Sequence, residues 1–138
     1  MPNKVYLTKR FSFEAAHHLV GYEGACANVH GHSYKLEVTV SGAIDVLSNQ
    51  SIASNCMVID FKSLKEIVKK HIISTHDHAD LNTLYDNPTA ENMVISMFDT
   101  IEENLPCDVK LESVKLWETE DSYAEYRGEC YGLCSLSR

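Results

Sequence analysis

The sequence predicts an α+β fold: a four-stranded antiparallel sheet with two helices on one face, in the order ββααββ. Three observations predict it. Segments near both ends of the chain alternate apolar and polar residues with the period of half-buried strands. Two stretches between them carry apolar residues at helical spacing. Two helices laid on one face of such a sheet is the natural way to bury both kinds of apolar surface. The other sheet face then needs cover, and other subunits are one answer.

The elements follow in chain order. From Val5 to Ala16, the residues Val5, Leu7, Phe11, Phe13 and Ala15 share one phase, and Tyr6, Thr8, Arg10, Ser12 and Glu14 the other. From His32 to Ser41, the residues Tyr34, Leu36, Val38 and Val40 face one way, and Lys35, Glu37, Thr39 and Ser41 the other. Gly42 to Asn55 reads as a turn or loop. Asp60 is placed to cap a helix that runs to about Ile72, with Phe61, Leu64, Ile67, Val68 and Ile72 on its apolar stripe. His76 to Thr89 reads as a loop ending in Asn87-Pro88. A second helix spans Ala90 to Asn104, with Val94, Met97, Phe98, Ile101 and Leu105 on one stripe, and Pro106 stops it. Val109 to Trp117 and Tyr123 to Leu136 read as two more strands, the last interrupted at Gly128 and Gly132. No repeat, low-complexity tract or linker divides the chain, so residues 1–138 are expected to form a single domain.

Composition narrows the function classes. Hydrophobic residues make up 44% and charged residues 23%, a globular balance. The net charge of −8 argues against nonspecific nucleic-acid binding. A phosphorylated small molecule would need a local positive pocket. No apolar run is long enough to cross a bilayer, and Met1-Pro2-Asn3-Lys4 lacks the apolar core of a secretory signal. The expected location is the cytoplasm, with no membrane partner. The five cysteines are an odd number and are expected to be reduced thiols. Four read as small hydrophobes, and Cys26 stands apart because of its neighbours.

Seven histidines in 138 residues make their positions informative. His30 and His32 form an HxH pair whose side chains share the apolar face of the second strand. His17 shares the apolar face of the first, in phase with Phe11 and Phe13, while His18 falls on the polar face. Three imidazoles converging from two pairing strands make a typical catalytic zinc site with an open fourth position. The alternative is three separate buried histidines, each bonded to a backbone carbonyl.

Cys26 lies four residues before His30, and two readings stay open. It is either a fourth ligand that closes a structural site, or a free thiol near a cation whose field favours the reactive thiolate. Asp77-His78, in a loop, suits acid–base work if the carboxylate orients the ring, and is otherwise a solvated pair. Glu118 ends a strand in phase with Val114 and Leu116. A carboxylate there needs a partner, which a planar donor pair on a ligand would supply; otherwise it is an exposed strand end.

Together these segments resemble the 6-pyruvoyl-tetrahydropterin synthase family from Phe11 to about Tyr123. Phe13-Glu14-Ala15-Ala16-His17 and His30-Gly31-His32-Ser33-Tyr34 look like its two zinc motifs. Met57-Val58-Ile59-Asp60-Phe61 resembles the approach to its first helix. Asp77-His78 with Leu81-Asn82 resembles its catalytic element, Asn87-Pro88-Thr89-Ala90-Glu91-Asn92 the start of its second helix, and Trp117-Glu118-Thr119 its pterin anchor. The resemblance implies a tunnelling fold, with trimers closing a barrel and stacking as a homohexamer whose active sites lie between subunits. It implies Zn2+ on His17, His30 and His32, Cys26 as general base with Asp77 and His78, Glu118 on the pterin ring, and Thr89 and Glu91 as further substrate contacts. The three-residue interval between Cys26 and His30 resembles the bacterial and archaeal 6-carboxytetrahydropterin branch. That branch is expected to convert 7,8-dihydroneopterin triphosphate to 6-carboxy-5,6,7,8-tetrahydropterin, releasing acetaldehyde and triphosphate, on the route to queuosine. Lys35 and Arg10 are the cations suggested for the triphosphate. Triphosphate elimination to a 6-pyruvoyl product, a structural zinc protein and a pterin-binding module are the competing readings.

Overall fold

The computed structural model of the chain describes residues 2–45 and 56–132. Its frame is a long antiparallel pair, β1 (Asn3–His17) and β2 (His30–Ile44), in register from Asn3 opposite Ile44 to His17 opposite His30. β4 (Lys110–Trp117) pairs antiparallel with β2, and β5 (Tyr123–Tyr126) with β4. The helix α1 (Phe61–Val68) and the longer α2 (Ala90–Asn104) complete the expected order.

A fifth strand is added to the four expected. β3 (Ala79–Asp80) runs parallel to β1 beside Ala15 and Ala16, giving the order β3-β1-β2-β4-β5. Two residues have no periodicity to detect, and the pairing is set by contacts of Asp77 and His78 with Glu14 described below.

The alternating faces pack as expected in the middle of the sheet. Phe11, Phe13, Tyr34, Leu36, Val38, Val40, Val114 and Leu116 meet Leu64, Val68 and Ile72 from the first helical segment and Met93, Val94, Met97, Phe98 and Ile101 from α2. The stripes fail at their ends. Val5 is 37% exposed and Phe61 47% exposed, because each lies beyond the overlap of helix and sheet that Leu64 begins to fill.

Three boundaries move by three residues or more. β2 extends through Ile44, so Gly42 to Ile44 are strand and not loop. Gly42 permits this: a Cβ there would sit 2.9 Å from the Val58 side chain. Residues 46–55 of that expected loop lie outside the described residues. The first helical path continues past Ile72 through a π-helical turn, Lys69–Ile73, and a last α-turn, Ser74–His76. β5 stops at Tyr126, well short of Leu136. Gly128 takes φ +76 and lies against Phe98, a conformation that leads the chain out of the sheet. The far end of the expected strand, from 133 on, is outside the described residues.

Candidate metal centre

β pairing brings the three histidines together. His17 ends β1 opposite His30, which opens β2, and His32 lies opposite Ala15 on the same face. The hairpin between β4 and β5 brings in Glu118, whose amide donates to the Ser122 carbonyl at 3.1 Å. One ligand atom from each of His17, His30, His32 and Glu118 lies within 4.8 Å of every other.

The ring orientations are fixed from behind. His17 Nδ1 is 2.8 Å from the Pro88 carbonyl and His30 Nδ1 is 2.7 Å from the Asn28 carbonyl. A carbonyl only accepts, so each Nδ1 carries the proton and each Nε2 keeps a lone pair. Those two Nε2 atoms face one another at 3.1 Å, an unfavourable meeting unless a cation lies between them. His32 Nε2 is buried without a hydrogen-bond partner, although Glu118 Oε1 stands 2.9 Å away. The carboxylate is within ion-pair distance but not aligned as an acceptor, so the nitrogen remains unsatisfied. Burial pushes the His32 imidazole below its ordinary pKa; Glu118 opposes the shift and the other two rings reinforce it. A neutral ring with a buried, unused lone pair is the form that binds a metal. The residues present therefore fit a divalent ion held by imidazole nitrogen.

Tyr34, fully buried, places its hydroxyl 3.3 Å from His17 Nδ1 and stacks on Phe13 at 5.0 Å. Burial first, then the Glu118 charge, raise its pKa well above the usual phenol value, so it stays a neutral hydroxyl.

Cys26 sits half-exposed in a short turn, Ala25–Ala27, and its carbonyl accepts from Leu19 N at 2.8 Å, closing the loop between His17 and His30. Its sulfur is not part of the metal group. Glu118 supplies the fourth member instead.

Asp77 and His78 do form a pair, His78 Nδ1 to Asp77 Oδ1 at 3.1 Å. The backbone explains how neighbours achieve it. His78 takes φ 60, a left-handed conformation rare for a residue with a side chain. Glu14 holds the turn from both sides: its amide donates to Asp77 Oδ1 at 3.0 Å, and its carbonyl accepts from His78 N. The Glu14 amide keeps the Asp77 carboxyl below its ordinary pKa. His78 and His32 border one open cleft with Glu14, Ala15, Gly31 and Ala79. Glu118 and Glu91 border a second with Ser122 and Tyr123.

Thr89 acts locally, its hydroxyl accepting from Asn92 N at 3.1 Å to cap α2. Arg10 is bound to Glu37 at 2.7 Å, and the cleft it shares with Lys35 contains Glu37 and Glu120 as well. His18 is half-buried, clamped through its backbone by Asn82 at 2.9 and 3.1 Å. Residue patterns did not reveal the roles of the Pro88 and Asn28 carbonyls or of Glu14. The carbonyls act through backbone atoms, which leave no trace in residue type. Tyr34 was legible only as an apolar position.

A family model described as 6-pyruvoyl tetrahydropterin synthase matches residues 6–129. The chain is 38% identical over 141 residues to a 6-carboxy-5,6,7,8-tetrahydropterin synthase of Haemophilus influenzae, covering 88% of this chain and 97% of that protein. It is also 38% identical over 115 residues to a dihydroneopterin monophosphate aldolase of Pyrococcus furiosus, covering 83% and 90%. Among solved structures, the 6-pyruvoyl tetrahydropterin synthase of Caenorhabditis elegans superposes with a TM-score of 0.75 at 26% identity, over 92% of this chain and 97% of that one.

Proposed function

Because the chain belongs to the 6-pyruvoyl tetrahydropterin synthase family, we propose that it is a cytoplasmic, zinc-dependent 6-carboxytetrahydropterin synthase. Its reaction converts 7,8-dihydroneopterin triphosphate to 6-carboxy-5,6,7,8-tetrahydropterin, releasing acetaldehyde and triphosphate, on the way to 7-deazaguanines and queuosine. The observation that carries this reading is the convergence of the Nε2 atoms of His17, His30 and His32, two of them 3.1 Å apart with lone pairs face to face. Three neutral imidazoles are a donor set suited to zinc. When bound, zinc supplies a Lewis acid for the oxygens of the pterin side chain.

The remaining chemistry belongs to the chain's own groups. Glu118 offers two acceptor oxygens to the exocyclic amine and neighbouring N–H of the pterin, in the cleft it shares with Glu91. Cys26 takes a proton from a side-chain carbon as thiolate and returns it. Asp77 orients His78, which carries the second proton, from the cleft that His32 also borders. Cleavage of the side-chain carbon–carbon bond then has a proton donor at hand. Thr89 supports the pocket as the cap of α2. The active form is a homohexamer of two stacked trimers, with sites completed between subunits.

Triphosphate elimination to a 6-pyruvoyl product is the competing reaction, and it breaks no carbon–carbon bond. The Pyrococcus furiosus relative favours a second reading, aldol cleavage of a monophosphate. Products separate them. Metal-loaded protein incubated with 7,8-dihydroneopterin triphosphate is expected to yield acetaldehyde and triphosphate in equal amounts, measured by coupled reduction of the aldehyde and by mass spectrometry. Cys26→Ala is expected to keep its metal and lose most turnover. Triphosphate without acetaldehyde assigns the pyruvoyl reaction, and turnover confined to the monophosphate assigns the aldolase. Loss of metal from Cys26→Ala makes the sulfur a ligand and removes it as the base.

A further inference from the structure

Outside the metal group, one buried histidine has no part in the chemistry above. His76 is 5% exposed, ends the helical path and immediately precedes Asp77. Both ring nitrogens are engaged. Nδ1 is 2.7 Å from the Ile72 carbonyl and therefore carries the proton. Nε2 is then an acceptor, and the Tyr85 hydroxyl, 2.7 Å away, donates to it. Thr75 Oγ1 donates to the same Ile72 carbonyl at 3.0 Å. The ring packs edge-on against Phe13, with centroids 5.7 Å apart. Burial holds the imidazole below its ordinary pKa, in keeping with a neutral, hydrogen-bonded ring.

An aliphatic side chain would fill the same space. What histidine adds is direction. Ile72 lies before the Asp77–His78 turn and Tyr85 after it, so the His76 bonds tie together the two ends of the segment that carries the dyad. Tyr85 is itself anchored, its amide donating to the Leu81 carbonyl at 3.0 Å. From the other side Glu14 holds the same turn by both its backbone groups. A left-handed conformation at His78 persists only where the surroundings over-determine it, and here the surroundings are Glu14 on one side and His76 with Tyr85 on the other.

We propose that His76, locked by Tyr85, is a positioning residue that holds the Asp77–His78 turn against Glu14 at the rim of the metal site. Its effect on turnover rests on the catalytic reading of the dyad given above; its effect on position does not. The test uses His76→Leu and Tyr85→Phe in the full-length, metal-loaded protein. Amide hydrogen exchange at His78, whose N–H donates to Glu14, is expected to quicken at least about tenfold in both variants while the β1–β2 amides keep their protection. With 7,8-dihydroneopterin triphosphate, kcat is expected to fall roughly tenfold at unchanged KM and metal content. His76→Gln, which retains a donor and an acceptor, should recover part of both losses. Unchanged exchange at His78 in both variants overturns the proposal whatever the turnover. So does exchange that quickens equally throughout β1 and β2, since that marks His76 as ordinary core packing. Faster exchange at His78 with normal kcat upholds the positioning role and removes the dyad from the reaction. Should His76→Leu fail to fold, Tyr85→Phe removes a single hydroxyl and carries the same readouts.

Discussion

Glu118 lies where two roles meet. Its Oε1 stands 2.9 Å from His32 Nε2 and 3.5 Å from His17 Nε2, close enough to share a metal. It also borders the cleft with Glu91, where a planar ligand would find two acceptors. Substitution by glutamine separates these roles, because an amide keeps the shape but exchanges one acceptor for a donor that mismatches the pterin amine. Losing one charge-assisted bond costs about 1.5–3 kcal/mol, or roughly tenfold to a hundredfold in affinity. Glu118→Gln is therefore expected to bind a simple dihydropterin, without the triphosphate, that much more weakly by titration, at full metal content. A fall in metal makes the carboxylate a ligand, and equal pterin affinity removes it as the anchor. At this scale the sequence was informative about side chains and silent about backbone partners. The phase of His17, His30 and His32 with Phe11, Phe13 and Tyr34 placed all three on one face, as the strand register has them. The Pro88 and Asn28 carbonyls that set two of the ring tautomers could not be read, because any residue presents a carbonyl. The role of His76 was not legible for a related reason: the expected helix ends at Ile72, which places it in a loop.

The start of α2 shows how an element reaches the metal centre. Thr89 caps the helix, and the residue before it, Pro88, holds His17. Asn87 binds the loop after His17 through Val20 N at 3.1 Å, and Asn92 Nδ2 binds the Asn87 carbonyl at 2.9 Å. Loss of the cap should therefore cost more than helix stability. Thr89→Ala is expected to lower stability by about 1 kcal/mol and the midpoint of thermal unfolding by roughly 4 °C. Asp60→Ala, which removes the cap of α1 from Lys62 N, should cost a similar amount. Only Thr89→Ala should also weaken metal affinity, by roughly tenfold, as loss of an outer partner of a ligand does. Chelator competition on the two variants decides it, and equal affinities would show that the cap does not bear on His17. Both ends of α2 were legible, since the apolar stripe and Pro106 act locally; its cap was not, because Thr89 read as a substrate contact and the structure has its hydroxyl on Asn92 N. β3 and the end of β5 were not. The first is held by Glu14 from a distant part of the chain, and the second is turned out of the sheet at Gly128 against Phe98.

Over the whole molecule the sheet leaves two open edges. The outer edge of β1 has no strand partner from Asn3 to Glu14 among the described residues, and β5 is the edge at the other side. Such edges invite pairing with further copies of the chain. Beside the first lies a cleft bordered by Lys9, Lys65 and Lys69, and by Arg10, which Glu37 holds at 2.7 Å. Around the second lie Glu118, Glu120, Asp121, Glu125 and Glu129, outnumbering Lys115 and Arg127, the latter 3.1 Å from Glu125. In a chain of net charge −8, a basic edge opposite an acidic one is a head-to-tail complement, and head-to-tail contacts form rings where their rotation closes. This supports the proposed assembly in which trimers close a barrel and stack in pairs. Replacing Lys65 and Lys69 by glutamate turns the complement into repulsion without touching the metal group. The double variant is expected to sediment as smaller species than wild type at low salt while keeping its metal. Wild type should weaken in the same direction near 1 M salt, where the screening length shrinks to about 3 Å. Sedimentation indifferent to both changes would place any subunit contacts away from this edge.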